Sequence, residues 1–220
     1  MKAGAFLFDL DGTLIDSETL WARAMVDWIV SRGGTASLET ILPIVVGRSW
    51  IDVDRELHAE WPCLGETTPQ EDALVLRKFY AALAGDPREL CIPESVAFFR
   101  KAAAVAPCAI VSGSPHDDIL LAAEACGIRD KLALVLGAGE YAAGKPSPSG
   151  YLKAAEILGV NPADCVVVED STAGVAAGVA AGMKVVALDR GGTLPQDHAG
   201  ATWRVKDLLD LDFEKEFAGE

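Results

Sequence analysis

The sequence predicts an α/β fold: a doubly wound parallel sheet carrying an inserted α-helical cap. Three observations predict it. From Pro93 onward, short apolar runs alternate with segments of helical periodicity, the pattern of a parallel sheet covered on both faces. The strand-like runs end in polar clusters. A block over about 17–88 with no convincing strand interrupts the alternation after its first strand. The expected division is therefore a core of 1–16 with 89–220 and a cap of 17–88, with no internal repeat.

The elements follow in order. "GAFLFDL", residues 4–10, reads as a short buried strand. From about Glu18 to Arg32, Leu20, Trp21, Ala24, Met25, Trp28 and Ile29 recur at helical spacing, and Gly33-Gly34 stops the helix. Helices are predicted over about Leu38–Val46, Trp50–Trp61 and Pro69–Leu83, punctuated by Pro62, Pro69 and Pro87. Next come the helix "ESVAFFRKAAAV", the strand "CAIVSGS", and the helix "PHDDILLAAEACG", with Pro115 at its first position and Ser114 as its N-cap. "KLALVLG" is a strand and "SPSGYLKAAEILG" a helix closed by Gly159. "CVVVED" is a strand, "STAGVAAGVAAG" a small-residue helix suited to close packing on a sheet, "MKVVALD" a strand and "VKDLLDL" a terminal helix.

Bulk composition narrows the function. The 220 residues carry a formal net charge of -14, with a pI near 4.6. That acidity argues against nucleic acid and anionic membrane as partners. No apolar run reaches the roughly 18 residues of a membrane span, and Asp9 and Asp11 cut short the apolar N-terminal stretch that would otherwise resemble a signal-peptide core. Five dispersed cysteines (Cys63, Cys91, Cys108, Cys126, Cys165) with no C-x-x-C pair read as reduced thiols, mostly small core residues, in a cytoplasmic protein. A monomer is the default expectation.

Ligands of open parallel sheets bind beyond the carboxyl ends of the strands. Four clusters fall there: Asp9 and Asp11 after the first strand; Ser112, Gly113 and Ser114 after the second; Lys145 in the loop after the third; Glu169 and Asp170 after the fourth. Two carboxylates so close repel, and burying either unpaired is costly. Converging carboxylates suit a hard cation, and Mg²⁺ takes carboxylates, waters and substrate phosphate together. A carboxylate can also act as a nucleophile toward phosphorus. Ser112 and the backbone N–H groups near it, Gly113 included, suit phosphate oxygens, and Lys145 suits the charge of a transferring phosphoryl group.

Taken together, "DLDGTLIDS", "AIVSGS", "GKPSP" and "VVVEDSTAG" resemble the four ordered motifs of the haloacid-dehalogenase superfamily. The resemblance covers essentially the whole chain. The insert between the first two motifs resembles the helical-cap branch that includes β-phosphoglucomutase and many sugar-phosphate phosphatases. It implies a Rossmannoid core and these roles: Asp9 as nucleophile, Asp11 as general acid/base with its carbonyl on Mg²⁺, Ser112 on phosphate, and Lys145 bridging phosphate to Asp9. Asp170 with Glu169 would complete the metal site, and a mobile cap would exclude water. Arg48, in the cap stretch "VVGRSW", would reach toward a distal phosphate or carboxylate of the substrate. The presence of Asp11 disfavours dehalogenation, and "ETLWARAM" lacks the lysine that phosphonatases use. "DSETLWA" lacks the hinge histidine of β-phosphoglucomutase, which disfavours a mutase. The expected activity is therefore Mg²⁺-dependent hydrolysis of a small phosphorylated sugar, sugar acid or polyol. The alternatives are a phosphomutase or a catalytically silent sensor of a phosphorylated metabolite.

Overall fold

"AFLF", the first strand, alternates its side chains between two buried faces: Phe6 and Phe8 pack into one core, Ala5 and Leu7 into the other. A strand buried on both faces must lie inside a sheet. In the computed structural model, which describes residues 2–45, 50–83, 85–191 and 195–218, β1 (Ala5–Phe8) is such a central strand. It pairs in parallel with β2 (Cys108–Val111) on one side and β4 (Cys165–Glu169) on the other. β3 (Leu132–Leu136), β5 (Lys184–Leu188) and β6 (Trp203–Val205) complete an all-parallel six-stranded sheet of order 3-2-1-4-5-6. In register, Phe8 lies opposite Ile110 on one neighbour and Val168 on the other, so β1, β2 and β4 end at one rim of the sheet.

The chain divides into two compact units. One is Met1–Ile15 with Leu90–Glu220, the other Asp16–Glu89. In the first, one face of the sheet is covered by an aromatic cluster of Phe6, Phe8, Phe98, Phe99, Phe213 and Phe217. Helices α5 (Pro93–Ala103) and α6 (His116–Ala125) pack there. The other face carries α7 (Ser149–Leu158) and α8 (Thr172–Ala180). The small residues of α8 let it approach closely: a Cβ on Gly178 would sit 2.8 Å from Val185 Cγ2. Gly159 ends α7 in the left-handed conformation, φ 68°, which glycine adopts without penalty.

The second unit holds α1 (Glu18–Ser31), α2 (Leu38–Val45), α3 (Trp50–Glu60) and α4 (Pro69–Leu83). Its own core contains Trp28, Ile29, Ile41, Leu57, Leu64 and Leu76. Thr68 and Glu71 exchange hydrogen bonds at the start of α4, Thr68 N to Glu71 Oε2 at 2.9 Å and Glu71 N to Thr68 Oγ1 at 3.3 Å. This reciprocal capping fixes the helix start. Trp21 stacks on Tyr80 at 4.2 Å between centroids, in keeping with a packing role.

Three sequence expectations need correction. "VKDLLDL" is not a helix. Val205 closes β6 and Leu208–Asp210 is a single 3₁₀ turn, because Trp203 and Val205 pack against the aromatic core and the backbone ahead of the turn pairs with β5. Ser114 does not cap α6, which begins at His116 with Pro115 at the cap position. Its hydroxyl has another partner, described below. Finally, the cysteines are not all free thiols. Cys91 and Cys126 form a disulfide, Cα–Cα 5.6 Å. They are 35 positions apart and meet because α5 and α6 pack on the same face of the sheet, which their spacing could not reveal. No helix among the described residues is long and apolar enough to cross a membrane.

Candidate active site

β1 ends where its two neighbours end, and this delivers the polar residues to one place. Asp9 continues the strand, its N–H donating to Val168 O at 3.0 Å. Its carboxylate is nearly enclosed and accepts a short hydrogen bond from Lys145 Nζ. Lys145, in the loop after β3, also lies 2.5 Å from Glu169 Oε1 at the end of β4, with its ammonium 5.3 Å from the centre of the Tyr151 ring. Burial pushes the Asp9 carboxyl well above the usual range. Lys145 offsets part of this, while Glu169, Asp170 and Asp11 add to the push. Burial likewise opposes the Lys145 charge, but Asp9 and Glu169 outweigh it and hold the ammonium's pKa well above the ordinary lysine value.

Glu169 is fully buried and every oxygen has a donor. Tyr151 Oη donates to Oε1 at 2.7 Å. The N–H of Asp170 and the Ser171 hydroxyl donate to Oε2, both at 3.2 Å. Burial first, then the Glu169 charge, raises the Tyr151 phenol far above its ordinary value, so Tyr151 remains a donor. Gly174 makes room for this carboxylate: a Cβ there would fall 1.9 Å from Glu169 Cδ.

Asp11 faces the β2 side. Ser114 Oγ donates to Asp11 Oδ2 at 2.7 Å and Ser112 Oγ at 3.3 Å. Ser112 is buried, its Oγ accepting from Ser114 N at 3.0 Å and its carbonyl from Tyr141 Oη at 2.7 Å. Gly113 has open space where a side chain would stand. Asp170 accepts from Thr13 Oγ1 at 3.2 Å. Gly12, at φ 81°, lies so close that a Cβ would meet Asp170 Oδ2 at 2.1 Å, so this turn requires glycine for both conformation and space.

Asp9, Glu169 and Asp170 each offer one carboxylate oxygen, and the three atoms lie within 4.8 Å of one another. An all-oxygen, anionic donor set of this kind fits a hard divalent cation such as Mg²⁺. The Asp11 side chain is not in that trio. Arg48 lies outside the described residues.

Sequence reasoning missed four residues that hold the site in shape. Tyr151 and Tyr141 look like ordinary helix and loop aromatics. Arg190, after β5, donates to Gly12 O at 2.6 Å and Ser95 Oγ at 2.8 Å, bracing the turn after Asp11. His198 is buried, with Nε2 donating to the Asp170 carbonyl at 2.7 Å. Only the strand-end position of Arg190 offered a signal.

A parallel sheet whose central strand leads into two aspartates, one paired with a buried lysine, gathers a charged cluster at the carboxyl ends of its strands. Residues 3–182 match the family model for the haloacid dehalogenase-like hydrolases. Hexitol phosphatase B of Escherichia coli is 32% identical over 185 residues, covering 83% of this chain and 82% of its own. Hexitol phosphatase A of Escherichia coli K12 is 29% identical over 211 residues, covering 89% and 88%. The crystal structure of a haloacid dehalogenase family hydrolase from Deinococcus radiodurans, with bound phosphate and sodium, superposes with a TM-score of 0.72 at 29% identity, covering 97% and 95%. The chain belongs to the haloacid dehalogenase-like hydrolases, as a phosphoric monoester hydrolase of that family.

Proposed function

We propose that the chain is a Mg²⁺-dependent phosphatase that acts on a small phosphorylated sugar, sugar acid or polyol through an aspartyl-phosphate on Asp9. The observation that carries this reading is Asp9 itself: a nearly enclosed carboxylate at the end of the central strand, paired with Lys145 and flanked by Glu169 and Asp170. The hexitol phosphatase relatives support a phosphorylated polyol as the first substrate to try.

Asp9 attacks phosphorus, forming an acyl-phosphate as the P–O bond to the leaving alcohol breaks. Asp11, oriented by Ser112 and Ser114, gives that alcohol oxygen its proton and then takes one from the water that cleaves the acyl-phosphate. Lys145 and the N–H groups of the Ser112–Ser114 turn hold the phosphoryl oxygens. Glu169 keeps the ammonium in place. Asp9, Asp170 and the Asp11 carbonyl would hold Mg²⁺, with Glu169 beside them. When bound, Mg²⁺ supplies charge neutralisation at the phosphoryl group.

The test is phosphate release from a panel of hexitol and sugar phosphates, with and without EDTA, for wild type and Asp9→Asn. Release that needs Mg²⁺ and disappears in the variant is expected. Full turnover by Asp9→Asn would overturn the reading.

A further inference from the structure

The helical unit contains a second cluster of ligand-type side chains, unrelated to the chemistry at Asp9. Asp54 and His58 stand one turn apart on α3, so both project from the same face. Asp72 comes from the first turn of α4. One oxygen from each carboxylate and one ring nitrogen lie within 4.8 Å of one another. His58 Nε2 is 2.6 Å from Asp72 Oδ2 and 4.0 Å from Asp54 Oδ1. Asp54 is 5% exposed and Asp72 1%.

Two details point to a missing ligand. Asp54 Oδ1 is closed off from solvent and has no hydrogen-bond partner, a costly state for a carboxylate oxygen. His58 is oriented from behind: Nδ1 lies 3.0 Å from the carbonyl oxygen of Gly65. A carbonyl only accepts, so Nδ1 carries the hydrogen, and Nε2, which shares a proton with Asp72 Oδ2 at 2.6 Å, is the nitrogen that a metal ion would take by displacing that proton. A ring nitrogen donating to a carbonyl while the other faces acidic oxygens is how proteins set a metal-ligating histidine. Thr67 Oγ1 donates to Asp72 Oδ2 at 2.8 Å and fixes a second ligand in the same way. Charge agrees with geometry. An imidazolium would leave two carboxylates only half balanced, whereas a divalent ion with a neutral imidazole balances both and gives Asp54 Oδ1 a partner.

We propose that Asp54, His58 and Asp72 form a site for a divalent transition-metal ion that ties α3 to α4. The mixed nitrogen and oxygen set, with three protein ligands, suits Zn²⁺, water supplying the fourth position. Its imidazole distinguishes it from the all-oxygen trio around Asp9, which suits Mg²⁺. The His58 side chain, 21% exposed, provides the way in. The Trp28 ring, 6.3 Å from His58 between centroids, provides a reporter.

The test uses the full chain, stripped of metal and titrated with Zn²⁺, and separately with Co²⁺, in excess Mg²⁺. One ion per chain is expected. Co²⁺ should give visible d–d absorption without a thiolate charge-transfer band and should quench tryptophan emission. Zn²⁺ should raise the thermal midpoint. His58→Gln and Asp54→Asn should each weaken binding by at least about tenfold and abolish the thermal shift. Asp9→Asn should leave this site intact. If His58→Gln does not fold, the near-isosteric Asp54→Asn decides alone. The competing arrangement, a proton held between the two carboxyl groups, takes up no zinc. Absence of stoichiometric uptake, undiminished binding by a folded variant, or loss of binding in Cys63→Ser would each overturn the proposal.

Discussion

Removing one oxygen atom, the hydroxyl of Tyr151, probes how the site is held together. Tyr151 is 1% exposed, and its hydroxyl donates at 2.7 Å to Glu169, which is fully buried. Tyr151→Phe deletes a hydrogen bond to a charged group, worth about 1.5–3 kcal/mol. Glu169 Oε1 keeps Lys145, so the oxygen is not orphaned and the loss stays within that range. A loss of about 2 kcal/mol in a chain of this size lowers the thermal midpoint by roughly 4–8 °C. Urea unfolding of wild type and variant gives the free energy directly, and phosphatase kinetics give the consequence for catalysis. With one of its two anchors for Lys145 loosened, kcat should fall. The losses from Tyr151→Phe and Glu169→Gln should not add when combined, because the two side chains share one interaction. A variant with unchanged stability and kcat, or a strictly additive double mutant, would refute the role given to this hydrogen bond.

Three further outcomes are expected. Gly174→Ala, whose Cβ would fall 1.9 Å from Glu169 Cδ, should cost at least about 1–3 kcal/mol and most of the activity, read by thermal unfolding and phosphate release. Lys145→Met leaves Asp9 and Glu169 buried without their cation and should cost about 3–5 kcal/mol near neutral pH. Because the carboxylates hold the folded lysine above its ordinary 10.5, the Lys145 contribution is fully present below that pH and is lost only above it, which a pH series of urea midpoints will check. A thiol-reactive chromophore should modify Cys63 quickly in the native protein. Cys108 and Cys165, buried and pushed up to about 12 and about 11, should react only on unfolding.

Strand ends carry most of what the sequence disclosed. Asp9, Lys145, Glu169 and Asp170 were placed together because open parallel sheets gather such positions at one rim. The structure joins Asp9 to Lys145 and Lys145 to Glu169. The supporting shell was not legible. Tyr151 sits on an amphipathic helix where an aromatic normally means packing, and only the three-dimensional approach to Glu169 gives its hydroxyl a purpose. Ser114 carried a plausible local reading as a helix cap, but a partner more than a hundred residues away took its hydroxyl. The short β6 was hidden by a leucine- and aspartate-rich stretch with apparent helical periodicity, which three residues of edge pairing overrode. The Cys91–Cys126 bridge and the Asp54–His58–Asp72 cluster share that cause: each needs two helices to be docked before its members become neighbours.

The position of β1 in the sheet has a consequence for biosynthesis. Of the six strands, the one that comes earliest in this sequence ends up in the middle, and when it is made neither flanking strand yet exists. β2 starts at Cys108 and β4 at Cys165, so at roughly 5–20 residues per second β1 waits on the order of 8–30 s for both neighbours. During that interval the helices between Asp16 and Glu89, contiguous in the chain and with a core of their own, can pack. Only four apolar residues of β1 stand unpartnered meanwhile, too short a segment to template strand-to-strand association between nascent chains.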